Sequence, residues 1–239
     1  LNQGCLESFS RIRTSLNKQI MIGIFDIDSL VYEATYNAED LEEAQDSFWG
    51  RYNDVQYFMD KRYGECKIIP VGFCINNYRK KVDLSYKAQR TSDKPEYFEE
   101  LIQHIKDTID VQMRSGIETD DLVAKFHQHY GKDNSVIISI DKDYMQFEGT
   151  IFNYRKREFI KVDKEQALYN LYEQMVVGDR ADNVLVCKGY GAKWCEKNLY
   201  GKNEFGMMRS VFGLYKQLYK GKAREKMIKT FMLLKLNIF

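Results

Sequence analysis

Nine acidic side chains fall into four short groups whose spacing could hold cations. Asp26 and Asp28 stand in "FDIDSL", Glu118, Asp120 and Asp121 in "IETDDLVA", Asp141 and Asp143 in "SIDKDYMQF", and Asp179 and Asp182 in "VVGDRADNV". Brought together, these carboxylates would repel one another and raise one another's pKa. Hard divalent cations resolve that conflict, and an oxygen-only donor set selects Mg²⁺ or Mn²⁺ over zinc. Two such ions about 3.5–4 Å apart clamp a phosphodiester, one activating a water and the other stabilising the leaving oxygen. The "IETDD" acids also have a plainer reading, because acids at a helix N-terminus complement its dipole and its free N–H groups. Each group alone fits a solvated surface equally well; four groups, all at the ends of expected elements, favour a cation cage.

The elements that would position them follow from hydrophobic pattern. "MIGIFDIDSL" reads as a strand ending at Asp26, "CKIIPVGFCI" (66–75) as a second strand and "SVIISI" (135–140) as a third. Helical periodicity covers 39–63, about 96–115 and 119–130, and the segments around 150–162 form a β-hairpin about the basic "RKR". From Lys164 onward the pattern is mostly helical, with a helix near 165–176 and glycine-punctuated turns. Strands alternating with helices imply an α/β fold with a mainly parallel sheet, whose ligands bind beyond the carboxyl ends of the strands. No GxxxxGK[ST] or GxGxxG sequence is present, which argues against a nucleotide-binding loop. No internal repeat or low-complexity tract is present either.

Composition narrows the classes further. At 239 residues, with 44% hydrophobic and 30% charged side chains, the chain suits one sizeable α/β domain or a core with a small appended module. No apolar run approaches the length of a membrane span. Five scattered cysteines (Cys5, Cys66, Cys74, Cys187, Cys195) without a CxxC pair fit reduced thiols in a cytoplasm better than disulfides or a zinc cluster. His104, His127 and His129 do not make a histidine metal site. Residues 1–20, upstream of "MIGIFDID", read as a leader, a tag remnant or an upstream extension, and stand outside the fold assignment. Net charge is +1, yet residues 151–239 hold 18 Lys+Arg against 9 Asp+Glu, leaving +9 there and −8 in the first 150 residues. Chance asymmetry is one explanation; a protein that holds cations at one place and a polyanion at another is the other.

The ordered motifs "FDIDSLVYEA", "YRKKVDLSYKAQR", "IETDDLVA", "ISIDKDYMQF" and "VVGDRADNVLVCKGYGAK" resemble the 5′-nuclease (flap endonuclease) family. They are similar above all to phage 5′→3′ exonucleases and to the 5′-nuclease domain of bacterial DNA polymerase I. The resemblance runs from Met21 to the C-terminus, in the family's order and spacing. It implies a PIN-like α/β core, a mainly parallel twisted sheet flanked by helices, over 21–163. A helical arch at 86–117 and a C-terminal helix–three-turn–helix DNA-binding region within 164–239 go with it. By position, Asp26, Glu118 and Asp120 match first-metal ligands, and Asp121, Asp141, Asp143, Asp179 and Asp182 the second-metal region. "SYKAQR" matches the base of the arch, which puts Tyr86, Lys87 and Arg90 beside the scissile strand. A ring there could stack a base and the cations could meet phosphates, Lys87 also offsetting transition-state charge; a core aromatic is the alternative for Tyr86. Arg79 matches an arginine that the family carries just upstream. "GYGAK" matches the glycine-rich turn, with Gly189, Gly191 and Lys193 against a duplex backbone and K⁺ at 189–191 as a further expectation. The later cations Lys216, Lys220, Lys222, Arg224, Lys226 and Lys229 would either extend that surface or form a solvated helix face.

One departure stands out. Polymerase I-like members carry "FD" after the second strand, and its aspartate helps to bind the first metal. Here "VGFCINNYR" has Gly72 or Cys74 near that position and no acid. The alternatives are a weaker first metal, one held through water, or help from Asp28; a thiolate suits Mg²⁺ poorly, and Asn76 and Asn77 offer only neutral oxygens.

The expected activity is divalent-metal-dependent 5′→3′ exonuclease or flap endonuclease cleavage near 5′ ends, nicks or 5′ flaps of DNA, leaving a 5′-phosphate. RNA primers in RNA–DNA hybrids are a further substrate class. A monomer in the cytoplasm, that of the host if phage-encoded, completes the expectation. A PIN-like ribonuclease is the enzymatic rival, disfavoured by "GDRADNV…GYGAK". A catalytically weakened DNA-structure-binding protein is the rival from another class, supported by the absent acid near Cys74.

Overall fold

In the computed structural model, residues 20–90 and 93–237 are described. The segment read as a leader therefore lies outside them, apart from Ile20. Five strands form one sheet in the order β2-β1-β3-β4-β5: β1 Met21–Asp26, β2 Cys66–Val71, β3 Ser135–Ile138, β4 Gly149–Asn153 and β5 Glu158–Val162. The pairings β1–β2, β1–β3 and β3–β4 are parallel, and β4–β5 is the antiparallel hairpin expected around "RKR". Ile24, Phe25 and Ile137 are sealed from solvent, as continuous apolar runs in a sheet covered on both faces must be.

Helices α1 Asp28–Thr35, α2 Leu41–Tyr63 and α4 Phe98–Thr108 pack a cluster including Leu30, Phe48, Met59 and Leu101 against one face. Helices α5 Thr119–Tyr130 and α6 Lys164–Val177 cover the other with Val123, Ala124 and Ala167. The short α3 Arg79–Val82 lies between these groups in sequence. A second core, with Met175, Val176, Cys195, Val211 and Tyr215, joins the far end of α6 to α7 Ala192–Leu199, α8 Glu204–Tyr219 and α9 Ala223–Leu234. Beyond α9 the chain returns to the sheet, where Leu236 is buried.

The elements β2, α4 and α1 differ from expectation. β2 stops at Val71 rather than 75, because Phe73 takes a left-handed φ of 58° and the chain turns out. The helix expected over about 96–115 ends at Thr108; beyond it Gln112 and Ser115 make parallel bridges to Val71 and Ile75. Within the segment read as an arch, α4 thus buries Leu101 and Ile105 in the core. Helix α1, starting two residues after β1, was not anticipated, since "FDIDSL" reads as a strand ending in acid.

Candidate metal centre and nucleic-acid interface

The parallel topology carries the ends of β1 and β3 to one edge of the sheet, and the first turn of α5 and the loop after α6 meet them there. The result is a cavity of about 310 Å³ lined by eight carboxylates: Asp26, Asp28, Glu118, Asp120, Asp141, Asp143, Asp179 and Asp182. Among the described residues, Lys87, Arg90 and Lys142 bring positive charge to its walls. Seven of the eight acids assigned to metals by motif are therefore together, with Asp28 added.

Asp26, the last residue of β1, is 7% exposed; its Oδ2 accepts the Tyr144 hydroxyl at 2.7 Å. Burial, then the charge of Asp28, push its pKa up to about 7. Asp141 caps the 3-10 turn Lys142–Gln146, its Oδ1 accepting the Asp143 amide at 2.8 Å. Asp143 accepts Gln174 Nε2 at 2.5 Å, and desolvation followed by Asp141 raises its pKa to about 7. Desolvation and then Glu118 raise Asp120 well above the ordinary carboxylate range. Asp179 Oδ1 accepts the amides of Ala181 and Asp182 at 2.7 and 3.2 Å, which folds its loop back on itself.

Glu118 and Asp182 receive the cationic side. The Tyr86 hydroxyl lies 2.9 Å from Glu118 Oε2 and 2.6 Å from Asp182 Oδ2, its one proton shared between the two carboxylates. Lys87 Nζ donates to Glu118 and lies 3.6 Å from Asp182. Arg90 Nη2 donates to Asp182 Oδ1 at 2.6 Å. Lys87 holds φ at 56°, uncommon for a non-glycine residue, and its amide donates to the Asp182 carbonyl at 3.0 Å.

Arg79, Asp121 and Tyr86, all assigned by motif, lie beneath the surface. Arg79 is 0% exposed and pairs with Asp121 and Glu118 beneath the surface, so it cannot touch a nucleic acid. Asp121 is 1% exposed and does not line the cavity. One oxygen each from Glu118, Asp120 and Asp121 does lie within 4.8 Å of the others. Both Asp121 oxygens are nevertheless taken, by Arg79, the Glu118 amide and the Asn237 amide, because its helix position turns inward. Tyr86 is 3% exposed with its ring in the helical core, which leaves no face for a base to stack on. Thr119 and Lys142 also line the cavity and carried no sequence signal beyond adjacency to the acids.

The donor set fits a hard divalent cation. Among the described residues no histidine or cysteine lines the cavity, the ligand candidates are carboxylate oxygens, and the carboxylates outnumber the cations. Cys74 turns its Sγ to the Arg114 amide at 3.3 Å instead. Gly189, exposed, and Gly191, half-buried, form a separate turn that leads into α7, whose second residue is the exposed Lys193. Gly189 holds φ at 88°, and a side chain at either glycine would meet nothing within 4 Å, so the backbone there is open to a close approach. No helix among the described residues is long and apolar enough to cross a membrane.

No model of a known protein family matches the chain. DNA polymerase I of Borreliella burgdorferi is 29% identical over 208 residues, which cover 78% of this chain and 22% of that polymerase. The chain thus spans about a fifth of the length of the curated relative it matches. Among solved structures, the D15 protein of phage T5 co-crystallised with metal ions superposes with a TM-score of 0.60 at 16% identity, covering 90% of this chain and 99% of that one. The zinc-bound T5 5′-exonuclease gives 0.58 at 17% identity, over 90% and 99%. The catalytic core of Rad2 in complex with DNA gives 0.51 at 17%, over 91% of this chain and 74% of that one. The chain has the fold of these 5′-exonuclease and flap-endonuclease structures, as the order of its acidic motifs implied.

Proposed function

We propose that the chain is a divalent-metal-dependent 5′ nuclease that hydrolyses phosphodiesters near 5′ ends, nicks or 5′ flaps of DNA. The observation that carries this reading is the cavity of eight carboxylates at the sheet edge with Lys87 and Arg90 on its wall. Asp26, Glu118 and Asp120 would hold one Mg²⁺ or Mn²⁺, and Asp141, Asp143, Asp179 and Asp182 a second. Bound there, such ions supply Lewis acidity toward a phosphate and a water made more acidic.

The chain's own groups do the rest. Lys87 and Arg90, beside Glu118 and Asp182, are placed to meet a phosphate oxygen and to orient the scissile group. Tyr86 holds Glu118 and Asp182 at a shared distance through its hydroxyl, a positioning role. The turn at Gly189, Gly191 and Lys193 suits a phosphate of the duplex, with or without a bound K⁺. RNA–DNA hybrids as further substrates, a monomeric state and a cytoplasmic setting, that of the host if phage-encoded, belong to the same proposal. The T5 flap endonuclease has been crystallised with both DNA and metal ions, which accords with this reading.

The test is cleavage of a 5′-labelled flap and a nicked duplex with Mg²⁺ or Mn²⁺, beside an Asp141→Asn/Asp143→Asn variant. Metal-dependent products that vanish in the variant support the proposal. Tight flap binding without cleavage in either metal overturns it in favour of a structure-binding protein, and cleavage confined to single-stranded RNA favours a PIN-like ribonuclease.

A further inference from the structure

Of the adjacent parallel strands β1, β2 and β3, β2 is the one whose exit brings no acid to this edge. After Val71 the chain continues as Gly72, Phe73 and Cys74; the Cys74 thiol accepts the Arg114 amide and meets the Thr119 side chain, without lining the cavity. The space in front of that exit is filled from elsewhere. A Cβ built on Gly72 would lie 3.0 Å from Asp28 Oδ1 and 2.8 Å from Ile27 Cγ1. The carboxylate of Asp28 thus stands where a side chain of β2 would begin.

Asp28 is the first residue of α1, where an acid ordinarily serves the helix dipole. Its hydrogen bonds go to two other elements instead. Oδ1 accepts the Phe73 amide at 2.8 Å, and Oδ2 accepts the Thr119 hydroxyl at 2.6 Å. Phe73 makes its bond from a left-handed φ of 58°, costly for a bulky residue. Thr119 lies between Glu118 and Asp120. The carboxylate is therefore oriented from both sides, lines the cavity with Asp26, Glu118 and Asp120, and keeps one lone pair on each oxygen.

We propose that Asp28 is a direct ligand of the first divalent cation, supplying from the start of α1 the charge that the exit of β2 lacks, and that Gly72 is small in order to leave it room. This rests on the metal-dependent reading of the cavity, and the test separates the two. Mn²⁺ binding is measured by calorimetry on the wild type, Asp28→Asn, Asp26→Asn and Gly72→Ala, with metal-free melting curves as a folding control. Asparagine keeps an oxygen for the Phe73 amide and removes the charge; its NH₂ takes the place of the oxygen that accepts the Thr119 hydroxyl, which can turn to accept instead. The expected result is a loss of about tenfold or more in Mn²⁺ affinity for Asp28→Asn, on the scale seen when a group that fixes a metal is lost, with a smaller loss for Gly72→Ala. Unchanged affinity in Asp28→Asn, beside a clear loss in Asp26→Asn, overturns the assignment of Asp28 and leaves the metal reading standing. A wild type that binds no Mn²⁺ overturns both. Crystals of the wild type grown with Mn²⁺ answer without any variant: an ion bonded to a carboxylate oxygen of Asp28 supports the proposal, and one bonded to Asp26 and Asp120 but not Asp28 overturns it.

Discussion

Arg79 donates to Asp121 through two hydrogen bonds, Nη1 to Oδ2 at 2.6 Å and Nη2 to Oδ1 at 2.8 Å, with both side chains sealed from solvent. The remaining donors of the guanidinium are also satisfied. Nη1 reaches Glu118 Oε2 at 3.0 Å, Nε the Leu233 carbonyl at 2.9 Å and Nη2 the Lys235 carbonyl at 3.1 Å. All five N–H groups are thus used, and one side chain ties the start of α5 to the end of α9. Arg79→Lys offers three donors without the planar fork and leaves a buried carboxylate short of partners. It is expected to lower the unfolding free energy by about 3–5 kcal/mol, read from denaturant midpoints. A change within about 0.5 kcal/mol, the range of an ordinary surface substitution, would refute this account.

Asp120 and Asp121 are neighbours with opposite stability signs. Asp121 neutralises Arg79, so Asp121→Asn should destabilise the metal-free protein strongly. Asp120 is a buried carboxylate whose environment favours its neutral form, so Asp120→Asn should raise the metal-free melting temperature while weakening Mn²⁺ binding. Paired melting curves in chelator and calorimetry with Mn²⁺ check both halves. Equal losses of stability in the two variants would contradict the assignment.

A pH dependence follows from Asp26. Its folded pKa of about 7 lies above the ordinary carboxylate value of 3.8. Between those values the folded state holds a proton that the unfolded chain has released, so the unfolding free energy contributed by this group falls as pH rises from about 4 to 7 and levels off above. Comparison with Asp26→Asn isolates the effect from buried His127, whose depressed pKa works in the opposite direction. In chelator, the wild type should lose stability relative to that variant across this window. Mn²⁺ affinity of the wild type should instead increase toward pH 8, because metal and proton compete. A difference that stays flat with pH would count against it.

Tyr86 separates packing from positioning. Its ring lies in the helical core while its hydroxyl holds Glu118 and Asp182. Tyr86→Phe should cost only about 1 kcal/mol of stability, with Mn²⁺ affinity lowered and flap affinity unchanged in chelator. Tyr86→Ala should cost about 3–5 kcal/mol through the cavity it opens. A Tyr86→Phe variant that loses flap affinity in chelator would point instead to direct contact with nucleic acid.

Much of this molecule was legible in the order of its residues. Continuous apolar runs read as β1, β2 and β3 because parallel strands covered on both faces need no polar alternation. Helix α2 matched its expected span within two residues, since Asp40 caps it, accepting the Glu43 amide at 2.8 Å, and Gly64 ends it. Acids at the ends of those elements pointed to one edge because parallel strands share a direction. Which acids face one another was not legible. Asp120 and Asp121 are adjacent at a helix start, and successive helix positions point to different sides. Their roles diverge only because Leu233 and Lys235, far along the chain, bring carbonyls to the guanidinium behind Asp121. Asp28 likewise reads as an acid just past a strand, and its role emerges only where the turn at Phe73 supplies an amide from a strand end distant in sequence. Local pattern sets where a side chain begins; its partner, and with it its charge and its chemistry, comes from contacts that only the closed fold creates.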